Sequence, residues 1–324
     1  MISGKQVFIT GGLGFIGSRL VERLVERNRV TVFDSARRNA LRFSPAWGHA
    51  NLRVVAGDVL DKGALLAALG DASLVLHLAA IAGVSSYYRE PAATFRVNLL
   101  GTLNLIDALR GRSIELFVDF STSEVFGPHA EHVSESSPTV QGNLDDRRWC
   151  YAVSKLAGEM LGRCHYWEDG LPACVVRPFN IYGPGQVGEG VVSNFAAAVA
   201  QAQPLKVTGD GSQRRALCHV DDFLDGLLAL LSQPDVARGR TFHLGDERAV
   251  VSVLELAQRM ARMASPALPI EHVAHPGQDV VVRIPDCSSA RALLGYAPRR
   301  ELDAGLAETV AWFRERRPWE APAS

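Results

Sequence analysis

Tyr151 and Lys155 stand four positions apart in Tyr151-Ala152-Val153-Ser154-Lys155, a spacing that puts both side chains on one face of a helix. A phenol ordinarily titrates at about pH 10, and a neighbouring ammonium favours the phenolate, so this pair can serve as a base near neutrality once positive charge gathers around it. Upstream, an apolar run ends in Ser121-Thr122-Ser123-Glu124-Val125-Phe126-Gly127, where Thr122 can hydrogen-bond a reacting hydroxyl. Arg147 and Arg148 precede the tyrosine. Their guanidinium groups suit a substrate carboxylate, against the plainer reading of two solvated loop arginines.

A second chemistry lies near the start of the chain. Thr10-Gly11-Gly12-Leu13-Gly14-Phe15-Ile16-Gly17 fits G-x-G-x-x-G from Gly12 and G-x-x-G-x-x-G from Gly11. Between a strand and a helix, such glycines allow a tight turn and close approach to a pyrophosphate, which the helix N-terminus attracts. Asp34 follows Gly14 by 20 residues, at the end of the next strand, where a carboxylate can bind the adenosine ribose diol. Arg37 and Arg38 could accept a 2′-phosphate, but Asp34 would repel one, so the expected cofactor is NAD rather than NADP.

The elements that must hold these groups alternate. Val7 to Thr10, Arg29 to Asp34, Arg53 to Ala56, Leu74 to Leu78, Leu116 to Ser121 and Ala173 to Arg177 read as strands. Phe15 to Arg27, Lys62 to Leu69, Ala92 to Arg110 and Tyr151 to Trp167 read as helices between them. This order predicts an α/β fold built on a doubly wound parallel sheet of Rossmann type. Beyond Arg177 the rhythm becomes irregular, through Leu205 to Val207, Asp222 to Ser232, Thr241 to Leu244, Val253 to Ala264 and Leu302 to Arg316. We therefore expect a dinucleotide-binding domain over 1–177 and a smaller substrate-binding lobe, mainly 178–324, interleaved with it. Pro318 to Ser324 reads as a frayed tail.

Composition excludes several other classes. The 324 residues are 47% hydrophobic and 21% charged, the balance of a folded globular chain rather than a disordered one. Thirty-four basic against 35 acidic side chains give a net charge of −1, so no overall field attracts nucleic acid or an anionic membrane. The longest uncharged run near the front, Ala72 to Tyr88, is too short and too polar to span a membrane. The five cysteines are odd in number and never in a C-x-x-C pair, which suggests reduced thiols and a cytoplasmic location. His129 and His132 form an H-x-x-H without further ligands at metal spacing, so no metal is expected. Cys150 has no nearby histidine base, and packing is its expected role.

With these motifs in view, the chain resembles the extended short-chain dehydrogenase/reductases that act on nucleotide sugars as epimerases, dehydratases and decarboxylases. The likeness is carried by Thr10 to Gly17, Asp58-Val59, His77 to Ala80, Asn98 with Gly101-Thr102, Ser121 to Gly127, Tyr151 to Lys155, Arg177 to Asn180, Gly209 to Gly211 with Arg215, and Arg283 to Asp286. The resemblance implies that Gly11, Gly14, Phe15, Ile16, Gly17, Asp34, Asp58, Val59, Leu78, Ala79, Ala80, Asn98 and Pro178 bind NAD together with Tyr151 and Lys155. It makes Thr122, Tyr151 and Lys155 the catalytic triad, with Ser123 and Glu124 beside it. Ser85, Arg148, Asn180, Val192, Arg215 and Arg283 are the implied substrate-binding residues, the last two and Asn180 at the nucleotide diphosphate. Phe126 departs from the family's usual tyrosine. The family also suggests a homodimer through the Ala92 to Arg110 and Tyr151 to Trp167 helices.

All these relatives begin alike, with Tyr151 taking the proton of the sugar C4 hydroxyl while hydride passes to NAD. A 4,6-dehydratase then needs a base and an acid, where the family offers Asp then Glu; here the positions are Ser123 and Glu124. A uronate decarboxylase uses the 4-keto group as electron sink, and that class resembles Ser121 to Val125 residue for residue, with Trp149, Tyr151, Ser154 and Lys155 alongside. Epimerisation at C4 needs the triad alone. On sequence, a C4 epimerase of a UDP-sugar, with UDP-glucuronate a fitting substrate, therefore stands first. UDP-glucuronate decarboxylase follows closely, then the dehydratase. Glu124 stands open between C5 proton transfer and a buried carboxylate fixing its loop through backbone bonds. A regulator that binds NAD without turnover is the remaining alternative, and it would not need Thr122, Tyr151 and Lys155 together.

Overall fold

Seven parallel strands form the centre of the computed structural model, which describes residues 2–274 and 277–320. From edge to edge they run Thr241–Leu244, Ala173–Pro178, Leu116–Phe120, Leu74–His77, Gln6–Thr10, Arg29–Asp34 and Leu52–Ala56. The chain builds outward from Gln6–Thr10, then returns to its other side at Leu74–His77. Thr10 pairs in register with Phe33 on one side and with His77 on the other. That reversal opens a crevice at the carboxyl ends of these strands, the place where such sheets bind ligands.

Both faces of the sheet are covered, which explains apolar runs without strict alternation. On one face Leu20, Val21 and Leu24 pack with Phe223, Leu227 and Leu230; on the other lie Leu65, Leu69, Leu105, Ile106 and Leu109. Burying each such side chain contributes roughly 1.5–3 kcal/mol. The helices Phe15–Leu24, Lys62–Leu69, Pro91–Leu109 and Trp149–Asp169 occupy the expected stretches. The first ends three residues before Arg27, because Arg27 N–H turns back onto the Leu24 carbonyl to feed the next strand.

The two halves of the chain interleave in both directions across residue 177. The central sheet takes its edge strand Thr241–Leu244 from the second half. A four-stranded sheet of Val250–Ser252, Arg214–Ala216, Val282–Pro285 and His129–Val133 takes its last strand from the first half. A separate core gathers Val192, Phe195, Leu256, Met260, Leu306, Val310 and Phe313. The helix Val253–Ala261 starts with a reciprocal Ser252/Glu255 capping box, an arrangement that stabilises a helix by about 1 kcal/mol.

Pro318 to Glu320, the described part of the expected frayed tail, form a turn against the last helix. Trp319 stacks on Phe313 with ring centroids 6.4 Å apart, and 321–324 lie outside the described residues. Among the described residues, no helix is long and apolar enough to cross a membrane.

Candidate functional site

A cavity of about 750 Å³ occupies the crevice, and its wall joins the two chemistries found in the sequence. Gly11, Gly14, Phe15, Ile16 and Gly17 line it, as do Asp34, Asp58, Val59, Leu78, Ala79 and Ala80, and Thr122, Tyr151, Lys155 and Pro178 complete it. The glycines are demanded by space. Gly11 has φ +74°, and a Cβ there would come within 2.5 Å of the Ala79 backbone nitrogen. A Cβ on Gly17 would strike the Gly11 carbonyl oxygen. Asp34 is oriented by two backbone groups, accepting from Leu13 N–H at 3.0 Å and Ala36 N–H at 2.9 Å. Burial raises its pKa above the usual carboxylate range, and those two bonds act against the rise. A glycine cradle, a carboxylate at the end of the second strand and a cavity of about 750 Å³ fit a dinucleotide.

The reactive groups come from two elements. Thr122 lies two residues past the Leu116–Phe120 strand, and its Oγ1 accepts from Glu124 N–H at 3.1 Å while meeting the Tyr151 hydroxyl. Tyr151 and Lys155 lie on the helix Trp149–Asp169, both buried. This helix is held against Pro91–Leu109, where Asn98 donates to Ser154 Oγ at 3.2 Å. Ser154 Oγ in turn donates to the Tyr151 carbonyl at 2.7 Å, fixing the turn that presents the phenol. Burial pushes Tyr151 up to about 12, with Thr122 pulling it down and Glu124 and Asp119 adding to the rise. Burial lowers the Lys155 pKa, against the pull of Asp119 and Glu159. The protein alone therefore holds a phenol, and further positive charge is needed before it acts as a base.

Next to the phenol lies a cluster of guanidinium groups. Arg148 donates to both Glu124 oxygens at 3.0 and 3.2 Å, and Arg283 Nη2 stands 3.7 Å from Glu124 Oε2. Burial by itself would raise Glu124, yet Arg283, Arg148 and Arg215 outweigh it and hold the carboxyl below its ordinary value. Glu124 is thus ionised at neutral pH and secured by arginines, not by the backbone bonds expected for its structural role. Arg148 Nε is buried without a hydrogen-bond partner among the described residues. Burial and the nearby Arg283 bring Arg215 down to about 10.

Several predicted residues stand away from the cavity wall. Asn98 is fully buried behind it, with its amide spent on the Ile81 backbone and on Ser154, so it supports the wall rather than lining it. Val192 packs in the second core. Asn180 donates to the Ala216 and Arg283 carbonyls, and Arg215 to the Val280 carbonyl at 2.8 Å. Arg283 donates to the Ser123 carbonyl and, at 3.0 Å, to that of Gly127. Ser123 itself is buried. Ser85 is exposed, and its N–H bonds Glu189 at 2.8 Å. Arg37, on the cavity wall, is paired with Glu90 at 2.7 Å, and Arg38 lies across from Glu189. Phe126 is buried beside Phe179 and His243, with Arg177 over its ring. Cys150 is half-buried, and burial raises its thiol, consistent with packing.

Sequence reasoning missed two residues that touch this machinery. Tyr87 stacks on Tyr151, and Asp119 lies buried near Lys155. It also missed a cluster of His219, Asp221 and Glu308 in the second half, whose two carboxylates are both bridged by Arg300 at 3.2 Å.

A doubly wound sheet carrying a glycine cradle, a ribose-side aspartate and a Tyr–Lys pair defines a dinucleotide-dependent enzyme of the short-chain dehydrogenase/reductase type. Residues 7–245 match the model of the NAD dependent epimerase/dehydratase family, and the chain belongs to that family, with NAD as its cofactor. It is 32% identical over 323 residues to a UDP-N-acetyl-alpha-D-glucosaminuronate decarboxylase of Bacillus cytotoxicus, covering 96% of this chain and 98% of that one. The dTDP-glucose 4,6-dehydratase of Streptomyces venezuelae, solved with NAD bound, superposes with a TM-score of 0.87 at 28% identity, covering 98% of this chain and 100% of the other. The UDP-glucuronic acid 4-epimerase of Bacillus cereus, solved with UDP-glucuronic acid and NAD, gives 0.88 at 25% identity, over 96% and 99% of the chains.

Proposed function

We propose that this enzyme decarboxylates a UDP-hexuronate by way of a 4-keto sugar. The observation that carries the reading is Arg148, a buried arginine three residues before Tyr151 that meets Glu124 through Nη2 and keeps Nε without a hydrogen-bond partner among the described residues. A buried donor left unmade is costly; Arg148 is not on the cavity wall as it stands, so a substrate carboxylate would satisfy this donor with the guanidinium turned toward the cavity. When bound, NAD would supply the hydride acceptor for C4 and positive charge beside Tyr151. Tyr151 takes the C4 hydroxyl proton, Thr122 orients that hydroxyl, and Lys155 favours the phenolate. With C4 a ketone, the C5–C6 bond electrons pass into the carbonyl as carbon dioxide leaves, and Tyr151 and Thr122 hold the enolate oxygen; C5 then takes a proton from solvent, and Tyr151 gives its proton back to O4 as the hydride is restored to C4.

This ordering differs from the one drawn from sequence alone, where epimerisation came first. The decarboxylase relative covering nearly the whole of both chains supports the change. Dehydration is disfavoured because Ser123 stands where an acid is needed. Arg215 is assigned to the diphosphate with Asn180, and Ser85 to the substrate, while Arg283 braces the Ser123 to Gly127 loop that carries Glu124. A homodimer is part of the same proposal, supported by Leu100, Met160 and Trp167, which stand exposed on the two helices expected at its interface. The proposal is tested by comparing UDP-glucuronate with UDP-glucose as ligands of the NAD-loaded enzyme. Wild type should favour the uronate by about tenfold or more, and Arg148→Ala should erase the preference. Equal affinity of wild type for both sugars would remove Arg148 from this role.

A further inference from the structure

Beneath the Tyr–Lys pair the sheet carries a carboxylate that the reaction scheme does not use. Asp119 lies on the strand Leu116–Phe120, only 3% exposed, in register with His77 on one side and Val175 on the other. Above it passes the helix Trp149–Asp169, where Gly158 leaves room: a Cβ there would lie 3.7 Å from Asp119 Oδ2 and 3.4 Å from Thr102 Oγ1. Asp119 Oδ1 is buried and has no hydrogen-bond partner among the described residues.

The charges facing this carboxylate can be taken in turn. His77 is neutral, since burial and Lys155 bring it down to about 3, and its nitrogens bond Thr10 at 2.7 Å and Thr102 at 3.1 Å. Glu159 is already matched by Arg177, through bonds of 2.7 and 2.9 Å, and receives Ser121 Oγ as well. Val175 is apolar, and Tyr151 is a phenol. Lys155, three residues before Gly158 on the same face of that helix, is left as its electrostatic partner, with no direct ion pair between them among the described residues. Burial works against both members of this pair: it raises Asp119 to about 6 and lowers Lys155, while each counters the other's shift.

We propose that Asp119 is a positioning residue, the counter-charge that keeps Lys155 an ammonium and holds it beneath the cofactor cavity. A buried lysine without such a partner loses its proton readily, and a neutral amine can neither stabilise a phenolate nor donate as strongly to a ribose hydroxyl. Asp119 acts through Lys155 and does not touch the cavity. The role rests on Lys155 serving the reading above, but the charge coupling can be measured without any sugar substrate.

The test is Asp119→Asn, close to isosteric, with NADH binding followed by its fluorescence as pH rises. The alkaline midpoint for loss of binding should fall by about one pH unit or more relative to wild type, and should not fall further when the same change is made on Lys155→Met. With the accepted nucleotide sugar, kcat should lose its alkaline side while KM stays near wild type. An unchanged midpoint in Asp119→Asn would overturn the proposal. Should that variant not fold, Asp119 can be read by carboxyl 13C NMR in wild type and Lys155→Met. Coupling is reciprocal, so its titration should move upward in the variant, and an identical titration in both would equally overturn the proposal. If wild type turns over no nucleotide sugar, the reaction assignment falls, while the binding midpoint still decides Asp119.

Discussion

Tyr87 lies flat on Tyr151, ring centroids 4.7 Å apart and planes inclined by 13°. Tyr87 comes from the helix Val84–Arg89, which follows the loop after the Leu74–His77 strand, so the phenol proposed for proton transfer is held by an element remote in sequence. Both rings are buried, and Tyr87's phenol is raised first by burial, then by Tyr151 and Glu124. The stack restricts the Tyr151 ring to one plane and excludes water from its face.

Aromatic stacking of this kind is worth about 0.5–1.5 kcal/mol beyond burial, which corresponds to a rate factor of roughly 2–10 if it serves to orient Tyr151. Tyr87→Phe should therefore retain most turnover, whereas Tyr87→Leu should lower kcat by roughly that factor with little change in NAD affinity. Steady-state kinetics of the two variants separate ring from hydroxyl: a larger loss in Tyr87→Phe would assign the role to the hydroxyl.

Tyr151→Phe should keep the fold and the cofactor but lose turnover by about 10²–10⁴-fold, the usual contribution of a positioned acid–base group. Dissociation constants for NAD and single-turnover rates check the two parts separately. Wild-type turnover in this variant would exclude Tyr151 as the base.

Glu124 links activity to acid stability. Its folded pKa is depressed, because Arg283, Arg148 and Arg215 outweigh burial, so it contributes stability above its unfolded value of about 4.3 and loses it as pH falls through the lower folded value. Glu124→Gln should destabilise the protein by about 3 kcal/mol at pH 7, since it leaves buried arginines without their partner. Denaturation followed from pH 7 to pH 3 should show that gap closing below about pH 4. If Glu124→Gln turned over substrate at the wild-type rate, the carboxylate would have no part in the chemistry at C5 or in placing Arg148.

Asp34 should govern the nicotinamide cofactor chosen. Replacing it by Ser removes the carboxylate aimed at the adenosine ribose, leaving Arg37 and Arg38 on the same wall. NAD should bind more weakly, by about tenfold, and NADP relatively better. Isothermal titration with both dinucleotides checks this, and an unaltered preference for NAD would place the discrimination elsewhere.

The central architecture was legible because its signals are local. A strand, a glycine turn and an amphipathic helix are each set by adjacent residues, and the carboxylate ending the second strand follows from the same unit. Tyr151 and Lys155 announced themselves by helical spacing. What escaped was long-range packing: no period or spacing connects Tyr87 with Tyr151, or Asp119 with Lys155, since each pair meets only when different crossovers are stacked on the sheet. Arg148 and Glu124 each read two ways in the sequence, and their pairing explains why. Each can be judged only by the charge opposite it. Asn98 lies behind the cavity wall and Val192 in the second core, places that no local sequence pattern distinguishes from the wall itself.

The reaction itself is tested most directly by supplying UDP-glucuronate and UDP-N-acetylglucosaminuronate to the purified enzyme with NAD, trapping released gas and weighing the nucleotide-sugar product. The account predicts carbon dioxide in one-to-one yield with a UDP-pentose-type product lighter by that amount. A product of unchanged mass with inverted C4 would contradict decarboxylation and establish the enzyme as an epimerase.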